Sequence, residues 1–120
     1  MNLSLRRNPY MRMRKMKNLD VRMERCAALR IAEPATLKGA WRSLKPDAAA
    51  LWVEVGCGKG KFTAETAAAN PDVLMIAVER CREAMVVAME KAQSMNLTNV
   101  FYIDMDVAKI EEILATSMSM

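Results

Sequence analysis

Apolar positions in this chain fall into two regimes. Before residue 46 they are scattered among basic residues; from residue 51 they gather into short continuous runs separated by amphipathic stretches. Leu51-Trp52-Val53-Glu54-Val55 reads as a strand buried on both faces. Gly56-Cys57-Gly58-Lys59-Gly60 follows, then a helix from about Lys61 to Ala69, closed by Asn70-Pro71-Asp72. Val73 to Val78 is a second apolar run that ends at Glu79. Residues 82–95 fit a helix with Ala84, Val87, Ala88, Ala92 and Met95 along one face. Asn96 suits the left-handed cap that usually calls for glycine. Val100 to Ile103 is a third strand with Asp104 and Asp106 at its end, and Ile110, Ile113 and Leu114 mark a last helix. The β-α-β-α-β-α order predicts an α/β fold with a parallel, doubly wound sheet and right-handed crossovers.

Upstream the pattern is weaker. Residues 20–32 fit a short helix with Val21, Met23 and Leu29 partly inward, broken by Pro34. Ala35 to Leu44 is a second short helical candidate, ended by Pro46. The first seventeen residues hold Arg6, Arg7, Arg12, Arg14, Lys15 and Lys17 with no acid among them, which predicts an extended arm that orders on a partner. A solvated tail without function reads the same way.

Charge sharpens that division. Residues 1–45 carry twelve Lys/Arg against three Asp/Glu, and residues 46–120 carry six against eleven. A basic arm (residues 1–45) on a more acidic half-domain (residues 46–120) is the expected organisation, with the arm suited to a phosphate backbone. At 120 residues, 52% of them hydrophobic and 27% charged, the chain is of globular composition and has room for one domain. No apolar run approaches the roughly 20 residues of a spanning helix, and no apolar stretch follows the basic start as in a secretory signal. The start is too poor in serine for an organelle transit peptide, so the cytoplasm is the expected compartment. Three widely spaced cysteines without a CxxC pair, and no histidine, argue against disulfides and a metal site, and exclude histidine catalysis. Cys57 is better read as a small loop residue than as a nucleophile, because no histidine stands ready to activate it.

In an open parallel sheet, ligands bind beyond the carboxyl ends of the strands. The glycine loop, Glu79 and Asp104/Asp106 all fall there. The loop's G-x-G-x-G spacing fails the dinucleotide fingerprint, whose third glycine would stand at Lys61. It fails the P-loop too, with Val55 and Phe62 at positions that need glycine and Ser/Thr. Glu54 just before the loop would repel a phosphate, so a cation is the better guest. S-adenosylmethionine offers a sulfonium, an ammonium and a neutral adenosine. Glu79, 25 residues after Glu54, is placed to accept hydrogen bonds from ribose hydroxyls. A solvated acid at a strand end is the plainer reading of Glu79, and a helix N-cap that of Asp106.

These residues resemble a known family. Val53-Glu54-Val55-Gly56-Cys57-Gly58-Lys59-Gly60, Ala69-Asn70-Pro71-Asp72, Glu79 and the stretch from Asn99 to Asp106 are similar to the bacterial tRNA (guanine-N7-)-methyltransferases. Met11-Arg12-Met13-Arg14-Lys15 resembles that family's basic opening, and the stretch Pro34 to Trp41 (P-x-x-x-K-G-x-W) its segment before the first strand. The glycine motif alone is shared by many methyltransferases; its combination with the two upstream motifs is more specific. The resemblance, over residues 11 to about 114, implies a Rossmann-like fold that binds S-adenosylmethionine and methylates N7 of a guanine in tRNA. Glu54, Glu79 and Asp106, with Gly56 and Gly58 of the loop, take the cofactor-binding positions, and Arg12, Arg14 and Lys15 become the expected RNA contacts. Asp104 stands where the family more often has Asn, and Val107 where it has Ala.

In that family a fourth strand leads to an Asp-Pro-Trp-Pro stretch that supplies the catalytic aspartate, and nothing after Leu114 matches it. The expectation is an N-terminal fragment without the catalytic half, its three strands ordered 3-2-1 and strand 1 left with an uncovered edge. A non-catalytic RNA-binding remnant and a methyltransferase of another substrate class stand as alternatives. A nicotinamide-dependent oxidoreductase falls away on the glycine spacing.

Overall fold

The computed structural model describes residues 16–106, 108 and 109. The basic residues Arg12, Arg14 and Lys15 and the helix expected around Ile110, Ile113 and Leu114 lie outside them.

Three parallel strands form one sheet in the order β1-β2-β3: β1 Ala50–Val55, β2 Val73–Val78 and β3 Val100–Ile103. Helix α1 spans Leu19–Arg25, α2 Lys61–Ala69 and α3 Arg82–Ser94. Each strand bound follows from its flanks. Turn residues Asn70-Pro71-Asp72 precede β2, and Asn96 takes the left-handed conformation (φ 56°) that stops the chain after α3 and turns it toward β3.

Side chains of β2 alternate between two cores, as a pleated strand requires. Val73, Met75 and Ala77 join Val100 and Tyr102 under Ala67 of α2, with Met85, Ala88, Met89 and Ala92 of α3 and Met23 of α1. Leu74, Ile76 and Val78 pack with Ile103, Ile31 and Trp41 on the other face. The segment before β1 therefore belongs to the body: Ile31 N–H donates to Tyr102 O (2.9 Å), and Arg30 makes a single parallel bridge beside it. Those residues close the outer edge of β3. Asn99, almost wholly buried, locks the far end of the sheet, its Nδ2 donating to the carbonyls of Ala67, Asn70 and Val73 at 3.0 Å each.

Four expectations need correction. β1 is not buried on both faces; Trp52 is 42% and Val55 51% exposed, because β1 pairs with β2 alone among the described residues. Ala35 to Leu44 is not one helix but two 3-10 turns, Pro34–Leu37 and Trp41–Leu44, divided where Gly39 adopts φ 77°. Residues 20–32 are not one helix running to Pro34: α1 stops at Arg25, a 3-10 turn covers Ala27–Leu29 and Arg30 is extended where it meets β3, so Val21 faces outward at 48% exposure while Met23 and Leu29 are buried as expected. On α3 the buried stripe runs through Met85, Val86, Ala88, Met89 and Ala92; Ala84, Val87 and Met95 flank it, half-buried.

Candidate functional site

Because the strands are parallel, their carboxyl ends open on one side of the molecule, and the glycine loop is folded across them. Gly56 and Cys57 N–H both donate to Val78 O (2.7 and 3.3 Å), which hooks the loop over the end of β2. Gly58 (φ 56°) and Gly60 (φ 80°) adopt left-handed backbone that a side chain would strain. Their surroundings differ. A Cβ on Gly60 would lie 2.5 Å from Ala88 Cβ, so Gly60 seats the loop directly against α3. Around Gly56 and Gly58 a Cβ would meet nothing within 4 Å, which leaves that backbone approachable.

Glu79 fixes this arrangement. Its Oε1 accepts from Gly58 N–H (2.8 Å) and its Oε2 from Cys81 N–H (2.9 Å), tying the loop to the start of α3. It is half-buried and bonded on both oxygens, not a solvated acid. An ionised carboxylate offers about four acceptor sites, so capacity remains for a guest's hydroxyls. Beside it lies a cleft of about 230 Å³ lined by Val55, Gly56, Val78, Glu79, Arg80, Met105 and Asp106. Small-molecule pockets usually run to about 300–1,000 Å³; this cleft suits one part of a nucleoside-sized ligand.

The structure brings Gly56, Glu79 and Asp106 together around the cleft, with Gly58 bound to Glu79. Asp106 is exposed, and its Oδ1 accepts from Ala108 N–H (3.0 Å), so it caps a following turn while it lines the cleft. Glu54 lies outside the lining. Its side chain points to the α3 face, and its Oε1 is buried without a hydrogen-bond partner among the described residues. Burial raises the Glu54 carboxyl above the ordinary glutamate range. Cys57 is likewise governed by burial, reinforced by Glu79 and Glu54, and its thiol is pushed up to about 12. A thiol so protonated is no nucleophile, in line with its reading as a loop residue.

Sequence reasoning missed Arg80, which lines the cleft, and the part taken by Asp104. Asp104 binds Arg30 (Nη2–Oδ1 3.2 Å) and Arg82 (Nε–Oδ2 3.3 Å), joining the segment before β1 to α3 at the edge of the site. Only its place after a strand end hinted at this; its partners are far away in sequence. Among the described residues no group of Cys, Asp and Glu is disposed to hold a metal ion, and no helix is long and apolar enough to cross a membrane.

A glycine loop and strand-end acids on a parallel sheet define a class, and comparison with known proteins assigns the chain to it. Residues 48–119 match a family model described as "Putative methyltransferase". The chain belongs to this methyltransferase family. It is 34% identical over 113 residues to the tRNA (guanine-N(7)-)-methyltransferase of Halalkalibacterium halodurans, covering 94% of this chain and 48% of that one. It is 40% identical over 74 residues to the Clostridioides difficile protein of the same name, covering 62% and 35%. The chain thus spans about half or less of the length of the curated relatives it matches. Among solved structures, the antibiotic-resistance methyltransferase Kmr superposes with a TM-score of 0.54 at 23% identity, covering 64% of this chain and 42% of that one. A second, antibiotic-related methyltransferase gives 0.52 at 13%, covering 60% and 38%. Both support the Rossmann-like methyltransferase fold, and the observed strand order is the expected 3-2-1.

Proposed function

We propose that this chain is the S-adenosylmethionine-holding part of a cytoplasmic tRNA (guanine-N7-)-methyltransferase. The observation that carries the reading is the glycine loop pinned by Glu79 beside a strand-end cleft, in a chain similar along nearly its whole length to proteins of that name. The residues fit the cofactor. A buried, partnerless carboxylate oxygen at Glu54 favours a guest that brings positive charge or donors. The open backbone of Gly56 and Gly58 admits close contact. Glu79 keeps acceptor capacity for ribose hydroxyls, and Asp106 stands at the cleft rim for the adenine side.

When bound, S-adenosylmethionine supplies an activated methyl group for direct displacement by guanine N7. The chain's own residues bind and orient: Glu79 holds the loop and the ribose, and Glu54 faces the cationic end. Residues 46–120, with the segment from Met23 to Trp41 packed on them, form the cofactor-holding unit, and Arg12, Arg14 and Lys15 serve as the arm toward tRNA phosphates.

The test is equilibrium dialysis of the full chain against radiolabelled S-adenosylmethionine, with tRNA retention measured in parallel at several salt concentrations. Saturable cofactor retention and salt-sensitive tRNA retention are expected. Retention of tRNA without cofactor would replace this reading with that of an RNA-binding protein.

A further inference from the structure

The register of the sheet sets three residues side by side across all three strands: Glu54 pairs with Ala77, and Ala77 with Tyr102. Residues in such a row point to the same face, here the face covered by α2 and α3. Neighbouring strands lie about 4.8 Å apart, so the outer two residues of the row stand about 10 Å apart at the backbone. Ala77, wholly buried, fills the space between them with a single methyl group.

Both outer residues of that row carry an unsatisfied oxygen. The Tyr102 hydroxyl and Glu54 Oε1 are buried and have no hydrogen-bond partner among the described residues. A third such oxygen is Thr63 Oγ1. Thr63 lies one turn before Ala67, on the same side of α2 and nearer the glycine loop, and Ala67 packs in the same core as Tyr102. Buried polar atoms are nearly always hydrogen-bonded, and three orphaned oxygens on one face suit one internal water, which needs two to four polar partners.

We propose that Tyr102 is a positioning residue for Glu54: its phenol donates, through one internal water also held by Thr63, to the Glu54 carboxylate and so fixes how that carboxylate meets the cofactor. The role rests on Glu54 belonging to the S-adenosylmethionine site. The neighbouring titratable groups are the Cys57 thiol and the Tyr102 phenol, with Glu79 beyond Cys57. Burial pushes both the thiol and the phenol upward, so both stay protonated while Glu54 titrates.

The experiment is carboxyl ¹³C NMR titration of the ligand-free full chain. A hydrogen bond to the ionised form lowers a carboxyl pKa, so Tyr102→Phe should raise the Glu54 midpoint by about one pH unit. In the unsubstituted chain the Tyr102 Cζ resonance should move with that same midpoint, a readout that does not depend on the variant folding. An unmoved Glu54 midpoint in Tyr102→Phe, or a Cζ resonance indifferent to Glu54, overturns the relay. S-adenosylmethionine affinity should fall about three- to tenfold in Tyr102→Phe; an unchanged affinity would leave Tyr102 without a positioning role. If the unsubstituted chain binds no S-adenosylmethionine, the functional reading fails, while the carboxyl titration still decides the relay.

Discussion

β1 and β2 are adjacent strands of similar apolar sequence, yet they are finished to different degrees. β2 is buried at every position, and the glutamate that follows it has both carboxylate oxygens bonded to backbone N–H groups. β1 is half-exposed, with Trp52 and Val55 open to solvent, and its own glutamate holds a buried oxygen with no partner among the described residues. The acid after β2 is satisfied by the chain's own backbone; among the described residues, the acid within β1 is not. The difference separates two situations that a sequence motif merges: Glu79 is bonded to the loop, and Glu54 keeps a buried oxygen that the proposed function gives to the cofactor.

The largest expected effect comes from the point that joins the two halves. Gly60→Ala places a methyl 2.5 Å from Ala88 Cβ at a left-handed position. It should cost roughly 2–4 kcal/mol of stability, measured by denaturant unfolding, and an unchanged midpoint would show that the loop is not seated on α3. Next, Glu79→Ala removes the acceptor for Gly58 and Cys81 N–H and, in the proposed site, for the ribose. S-adenosylmethionine affinity should drop about 10- to 100-fold.

Glu54→Gln should act in the opposite sense on the two states. The ligand-free chain loses a desolvated charge and melts no lower than before, while cofactor affinity falls by about tenfold. The pH dependence follows from the same shift. Glu54's folded pKa is raised above its unfolded value by burial. Its contribution to ligand-free stability is thus present in full below the unfolded pKa, and is lost as pH rises through the folded one. Thermal melts across that window should show the slope in the unsubstituted chain and a flatter profile in Glu54→Gln; equal slopes would remove Glu54 as its source.

The smallest effect on the site concerns the unfinished edge. The outer edge of β3 is closed by Arg30 and Ile31, whereas β1 presents an edge unpaired among the described residues, with Trp52 on it. The 120-residue chain should self-associate with rising concentration in sedimentation, and Trp52→Lys should reduce this with little change in cofactor affinity.

Much of the fold was legible because its punctuation is strong. The glycine loop and Asn70-Pro71-Asp72 bound α2, and the apolar run from Val73 to Val78 can hardly be anything but an interior strand. The candidate acids were legible from their places at strand ends. What escaped depends on tertiary context. A helical spacing could not reveal that Gly39 would break the segment before β1 into two turns. The apolar character of Leu51 to Val55 told of burial without telling which neighbours supply it. The row of Glu54, Ala77 and Tyr102 exists only once register is known, and Asp104's ties to Arg30 and Arg82 only once the segment before β1 is packed on β3.

Calorimetric titration of the full chain with S-adenosylmethionine, beside Glu79→Ala and Glu54→Gln, tests the central claim most directly. Single-site binding in the unsubstituted chain, weakened in both variants, with ligand-free stability reduced only in Glu79→Ala, is the predicted pattern. Affinity untouched by both substitutions, or no binding at all, would contradict it.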